Sequence, residues 1–517
     1  MAEPLLIGLD VGSTNVKAVA FAPDGRAVAS ASVPAMTHYP RPAWAYCEPA
    51  ELWDQSVAVL RQVTSQIDDP RRIAGIAVAS VGEAGVPLDA RGEPTYHAIS
   101  WFDRRTFQET EWLGHRLGVD HLFAVTGLSL QPIFSLCKIL WLRAHEPDAF
   151  ARTTRWLHVA DYIAYKLSSA MATDHSLASR TFMFNLERRA WDDDILNACG
   201  IPRTLLAPLV HSGTAIGTVT SGAAVETGLP AGAVVATGGH DHVCGALAAG
   251  VVDPGAVFDS MGTAEALFIP LAKPITDPAF AEQGYTQGAH VVPNRYYTFG
   301  GIYTSGASVE WYRDLVGRDR PLAELLAEAA EVPVGSLGVA FLPHLRIANA
   351  PHLDARSRGA FVGLTTDTGR PAMTRALCEG LAFEARTTLE PLLGYTGIER
   401  LADVTVIGGG SKNDLLMQIK ATTLNARMQV IQREEATSLG AALLAGLGAG
   451  VYPDVDSAVA AVRSPPHTIA PAAQEIEQYE RIYREVYAPL YDTLRPLNHR
   501  INDLCDEPTS PAPRADS

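Results

Sequence analysis

The chain of 517 residues has little of what marks several protein classes. Its six cysteines (Cys47, Cys137, Cys199, Cys244, Cys378 and Cys505) are far apart and form no CxxC pair or Cys/His cluster. That pattern excludes a zinc ribbon and a disulfide scaffold, and implies reduced, mostly buried thiols. Basic residues are the minority: 41 Lys and Arg stand against 57 Asp and Glu, a net charge of −16. Without a basic stripe no nucleic-acid partner is expected, although a local site for an anion is still allowed. No apolar run approaches the ~20 residues that span a bilayer. The apolar run at the start, Leu5 to Leu9, ends too soon at Asp10 for a secretory leader. No membrane partner and a cytoplasmic location are therefore expected.

What is present is ordinary globular material, 47% hydrophobic and 19% charged. The length exceeds one core, so two or three domains are expected. Residues 5–25, "LLIGLDVGSTNVKAVAFAPDG", read as strand, polar turn, strand and Asp-Gly turn, with "RAVASASV" as a third strand. "ELWDQSVAVLRQVTSQI" then carries Leu52, Val57, Leu60, Val63 and Ile67 at roughly helical spacing, and "RIAGIAVASVG" reads as a buried strand. A second beginning appears in "GAVFDSMGTAEALFIP", residues 255–270. Farther on, "VIGGGSKNDLLMQ" is a strand, a triple glycine and a helix, and "EATSLGAALLAGLGAG" is a small-residue helix closing that unit. The pattern gives two related α/β halves joined near residues 245–255.

Five short stretches carry candidate chemistry. In "DVGSTNVK", Gly12 permits a tight turn, and Ser13, Thr14 and Asn15 offer donors to a phosphate. Asp10 at the strand end suits Mg²⁺, and Lys17 is placed to neutralise phosphate charge; a plain polar hairpin is the alternative. Gly262 and Thr263 repeat this turn in the second half. Gly409 and Gly410 sit in the triple glycine, where a nucleotide could approach the backbone. In "ATGGHDHVCGAL", Asp241 is a carboxylate able to take a proton from a hydroxyl, with a helix cap as the plainer reading. In "SVGEAG" and "AISWFDRRT", Glu83, Asp103 and Arg104 are charged hydrogen-bonding groups at strand ends, of the kind that hold a sugar, and Trp101 could stack on a sugar face; exposed loop charges and a core Trp are the plainer reading.

Taken together these segments resemble the FGGY carbohydrate kinases over about residues 5–490. The resemblance also runs through "FSLCKILWLRAHEPDAF", "ATDHSLASRTFMFNLERRAWDDDILNACGIP" and "GAFVGLTTDTGRPAMTRALCEGLAFEAR". It implies two actin-like (ribonuclease H-like) α/β domains with a ligand cleft between them. The expected divisions are residues 1–248 for sugar and the first phosphate turn and 249–490 for nucleotide. An extension at 491–517 is expected to be disordered at its end. The implied reaction transfers the γ-phosphoryl group of ATP, with Mg²⁺, to a small sugar. Asp241 is implied as general base, Asp10 and Asp241 as the carboxylates near the metal, and Thr14 and Thr263 as the phosphate-turn threonines. Gly306, Gly410 and Asn413 fall where the family contacts the nucleotide, and Glu310 where some relatives have an amide near the base. A homodimer is compatible with the family.

The implied substrate is mixed. Glycerol kinases carry Arg-Glu where this chain has Gly82-Glu83, and xylulokinases carry Gln-Met-His-Gly there. The middle of the chain is similar to L-fuculose kinases, whereas "WFDRR" is closer to polyol and pentulose kinases. A ketose is expected, a pentulose such as xylulose or a 6-deoxyhexulose such as L-fuculose. A polyol (erythritol, arabitol, glycerol) or an aldonate (gluconate) is the alternative, and a sugar- or nucleotide-sensing protein the non-enzyme alternative.

Overall fold

The computed structural model describes residues 3–318, 320–433 and 435–506. The tail expected to be disordered lies, from residue 507 onward, outside the described residues. The chain divides into two compact units. One comprises Met1–Ala256, Phe268–Thr298 and Arg433–Pro465, the other Val257–Leu267, Phe299–Gln432 and Pro466–Ser517. Among the described residues no helix is long and apolar enough to cross a membrane.

The first unit is built on a six-stranded sheet. Its strands are β1 (Leu5–Val11), β2 (Asn15–Phe21), β3 (Ala27–Pro34), β4 (Ile73–Ser80), β5 (Ala215–Thr218) and β6 (Val234–His240), in the order β5-β6-β4-β1-β2-β3. β1, β2 and β3 form the antiparallel meander read from the sequence, while β4 runs parallel to β1, and β6 parallel to β4. Leu5, Leu6, Ile7 and Leu9 of β1 are all buried, as an interior strand covered on both faces requires. Helix α1 (Pro49–Ser65) starts with proline in its first turn, where a missing N–H costs nothing. It packs mainly against β2 and β3 and puts Leu52, Trp53, Val59, Leu60 and Val63 into the core.

The helix Ala436–Gly448 was expected to close the second unit, but it belongs to the first. Its small residues explain the placement. A Cβ on Gly8 of β1 would fall on the carbonyl oxygen of Ser438, and one on Gly440 would fall on that of Cys244. Backbone packs directly on backbone there, so glycine is required on both sides.

The second unit contains β7 (Phe258–Met261), β8 (Glu265–Leu271), β9 (Asp403–Ile407), β10 (Arg427–Val430) and β11 (His467–Ile469), in the order β8-β7-β9-β10-β11. β7, β9 and β10 are mutually parallel, and β11 closes the edge antiparallel to β10. The boundary between the units falls within β8. The long helix Arg370–Thr396 covers this unit and buries Leu377, Leu381, Leu389 and Leu392.

Candidate active site

β1 delivers Asp10 one residue before its end, opposite Lys17 of β2. One carboxylate oxygen, Oδ1, is buried without a hydrogen-bond partner. Burial and then the neighbouring Asp241 push the carboxyl up to about 8, while Lys17 opposes the shift. The turn beyond is closed by the Gly12 N–H, which donates to the Asn15 carbonyl at 3.1 Å. Ser13, Thr14 and Asn15 are exposed at its tip. Lys17 is not turned to that tip: its ammonium sits 2.7 Å from Glu435.

β6 ends at His240, and helix α2 (Asp241–Ala248) begins with Asp241. Asp241 is therefore not the cap residue of α2. Its Oδ1 accepts from the His242 N–H at 2.7 Å and lies 3.4 Å from Nε2 of His240. The Asp241 side chain retains 22% exposure, whereas His240 is buried and its backbone N–H donates to Ser176 Oγ at 2.9 Å. Burial first, against the opposing charge of Asp241, drives His240 down to about 3, so it is a neutral imidazole. Tyr297 Oη lies 3.4 Å from its other nitrogen.

Asp10 and Asp241 fit a Mg²⁺ site. Asp241 is close enough to raise the buried Asp10 carboxyl, and one Asp10 oxygen lacks any hydrogen-bond partner. Among the described residues no group of three or more His, Cys, Asp or Glu forms a cage. Mg²⁺ held by one or two carboxylates, phosphates and water needs none.

Glu83 follows β4 in the first unit and is buried. Its Oε1 is taken by Arg180, from Nε at 2.8 Å and Nη2 at 2.7 Å. Its backbone carbonyl accepts from the fully buried Lys138 ammonium at 2.8 Å. Burial lowers Lys138 to about 8. Asp103 is wholly occupied by structure. Arg105 binds it through Nε at 2.9 Å and Nη2 at 2.7 Å, and the Ala45 N–H donates to it at 2.5 Å. Arg105 in turn stacks on Trp44, 3.8 Å from the ring centroid. Arg104 is exposed, and Trp101 is half-buried, edge-on to Phe102. The structure thus groups Glu83, Asp241 and Asp10 in one unit, and spends Asp103 on Arg105.

In the second unit the turn 262–264 joins β7 to β8. The N–H groups of Gly306 and Ala307 donate to the carbonyls of Gly262 and Thr263, each at 3.1 Å. A Cβ on Gly306 would lie 2.5 Å from the Gly262 oxygen, so glycine allows this approach. Behind the turn, Lys420 Nζ lies 2.7 Å from Asp259 and 2.6 Å from Glu265, and Ser305 Oγ donates to Glu265 at 2.7 Å. Burial and then Glu265 raise the Asp259 carboxyl. In the triple glycine it is Gly408 that has positive φ, at 95°, packed on the Met261 carbonyl. Gly409 is exposed, and Gly410 lies over Met261. Asn413 caps the helix Asp414–Leu424, accepting from the Leu416 N–H at 3.0 Å. Glu310 is exposed and ion-paired with Arg313.

Arg180, Lys138 and Lys420 are the site-shaping residues that sequence reasoning passed over. Each is a cation inside an otherwise buried stretch, and a buried charge must have a partner. That signal stood in "LLMQIKATTL" and "FSLCKILWL".

Residues 5–248 match the N-terminal domain of the FGGY family of carbohydrate kinases, and residues 258–449 match its C-terminal domain. A xylulose kinase of Bacillus subtilis is 27% identical over 500 residues, covering 96% of this chain and 99% of that protein. A glycerol kinase of Citrifermentans bemidjiense is 32% identical over 492 residues, covering 93% of this chain and 96% of that protein. The crystal structure of xylulose kinase from Rhodospirillum rubrum superposes with a TM-score of 0.86 at 29% identity, covering 96% of this chain and 100% of that one.

Proposed function

The chain belongs to the FGGY family of carbohydrate kinases, and on that premise we propose that it transfers the γ-phosphoryl group of ATP to a hydroxyl of a small ketose. The observation that carries the mechanism is Asp241, a partly exposed carboxylate at the head of a buried helix beside the half-enclosed Asp10. Asp241 accepts the hydroxyl proton, the sugar oxygen forms the new bond to phosphorus, and the bond to the β-phosphate oxygen breaks to leave ADP. The protein's remaining work is positioning and charge neutralisation. Asp10 and Asp241 are the proposed holders of Mg²⁺, which when bound supplies charge neutralisation to the phosphates. The exposed turns 12–15 and 262–264 are the proposed phosphate contacts, with Thr14 and Thr263 at their tips. Gly306, Gly409, Gly410 and Asn413 are proposed to lie along the nucleotide.

Similarity to xylulose kinases supports a pentulose such as xylulose as acceptor; a 6-deoxyhexulose such as L-fuculose is the second ketose of this reading, from the resemblance of the middle of the chain. The 32% identity to a glycerol kinase supports a second reading, a polyol. An aldonate is less well served, because the Arg180 guanidinium is already paired with Glu83. The test is ADP release with MgATP across D-xylulose, L-xylulose, D-ribulose, L-ribulose, L-fuculose, L-rhamnulose, erythritol, D-arabitol, glycerol and gluconate. A ketose with the highest kcat/KM is expected. Glycerol or gluconate ahead of every ketose overturns the assignment.

A further inference from the structure

Gly82 stands directly before Glu83, and its lack of a side chain is used. A Cβ there would lie 2.7 Å from Cγ of Arg180 and 2.9 Å from Cδ2 of His240. The strand end is thus cleared for a guanidinium that arrives from residue 180. Arg180 is among the largest fully buried side chains. It carries a full set of partners, all in the first unit. Nε and Nη2 hold Glu83 Oε1 at 2.8 and 2.7 Å, and Nη1 donates to Thr286 Oγ1 at 2.8 Å. Tyr297 hydrogen-bonds to it as well, and the Phe134 ring lies 5.0 Å beneath. Tyr297 reaches His240, and His240 reaches Asp241.

We propose that Arg180 is the positioning residue of the acceptor site, fixing the Glu83 carboxylate and, through Tyr297 and His240, the Asp241 carboxylate in one frame. The inference rests on the kinase reading above. A planar guanidinium holds three partners at fixed angles at once. Its rigidity sets the spacing between the group that anchors the sugar and the group that takes its proton. The acceptor it suits is a neutral polyhydroxylic sugar: one hydroxyl is held by Glu83 while another meets Asp241. Arg180 itself touches no substrate.

The test compares Arg180→Lys and Thr286→Val with wild type in sugar and ATP kinetics, alongside thermal unfolding. Lysine keeps the charge but cannot span Glu83, Thr286 and Tyr297 together. Arg180→Lys is expected to raise the sugar KM about tenfold and lower kcat, with the ATP KM within about twofold. Thr286→Val removes one arm of the guanidinium and is expected to raise the sugar KM about threefold. A folded Arg180→Lys protein with wild-type sugar kinetics overturns the proposal, as does an equal rise in both KM values. If Arg180→Lys does not fold, Thr286→Val decides: an unchanged sugar KM overturns the proposal. Wild type that turns over no sugar sinks the kinase substrate reading, and this inference falls with it; an active wild type with indifferent variants sinks only the inference.

Discussion

Lys420 Nζ lies 2.6 Å from Glu265 Oε1, and both side chains have no exposure. Asp259 shares the same ammonium at 2.7 Å. One buried cation therefore ties β7 and β8 together at the base of the turn that carries Thr263. Removing it leaves two buried carboxylates without compensation. Lys420→Met is expected to destabilise the protein by about 3–5 kcal/mol, read from urea unfolding. A variant as stable as wild type would show that the pair is protonated and needs no cation.

Gly8 and Ser438 meet backbone to backbone, with no room for a methyl group. Gly8→Ala must push the helix Ala436–Gly448 off β1. An overpacked core of this kind costs about 1–3 kcal/mol, and a lowered melting temperature is the expected reading. The exposed Gly222, where a Cβ meets nothing, is the control, and Gly222→Ala is expected to leave melting unchanged.

Burial, then the charges of Arg295 and Arg189, hold His290 down at about 3, and its Nδ1 accepts from the Val292 N–H at 3.0 Å. The unfolded chain takes up a proton near pH 6.5, whereas the folded chain does not. Stability from this group is thus full above pH 6.5 and is lost as pH falls toward 3. About 2 kcal/mol is expected to go between pH 7 and pH 5 from this histidine alone. Asp10 has the opposite sign: its folded value is raised to about 8, so its contribution is lost as pH rises from about 4 through 8. In metal-free protein, Asp10→Asn is expected to raise the melting temperature at pH 8 and abolish sugar-dependent turnover. A melting temperature at pH 8 below that of wild type would contradict the account of Asp10.

Local pattern made the hairpins legible. β1, β2 and β3, the turn 12–15 and the helix Asp414–Leu424 all follow from runs of neighbours in sequence. Asp10 was legible because a carboxylate at the end of an apolar strand has no packing reason to be there. Partners far apart in sequence were not. Glu83 and Arg180 are separated by 97 residues and Lys420 and Asp259 by 161, and nothing local joins them. A charged Asp103 next to Trp101 points to a sugar ligand, and nothing in the local sequence shows that Arg105, two residues on, turns back onto it. The helix Ala436–Gly448 follows β10 in the chain, so chain order put it in the second unit. Its glycines and alanines carry the contrary signal, since only small residues allow the approach to Gly8 and Cys244.

The role of Asp241 is the centre of the account. The direct measurement is sugar-dependent ADP release by Asp241→Asn, with sugar binding and thermal unfolding followed on the same protein. The asparagine keeps the shape and removes the proton acceptor. Turnover is expected to fall about 10²–10⁴-fold while sugar still binds and the melting temperature holds. Turnover at the wild-type rate by a normally folded Asp241→Asn protein would contradict the assignment of Asp241 as the base.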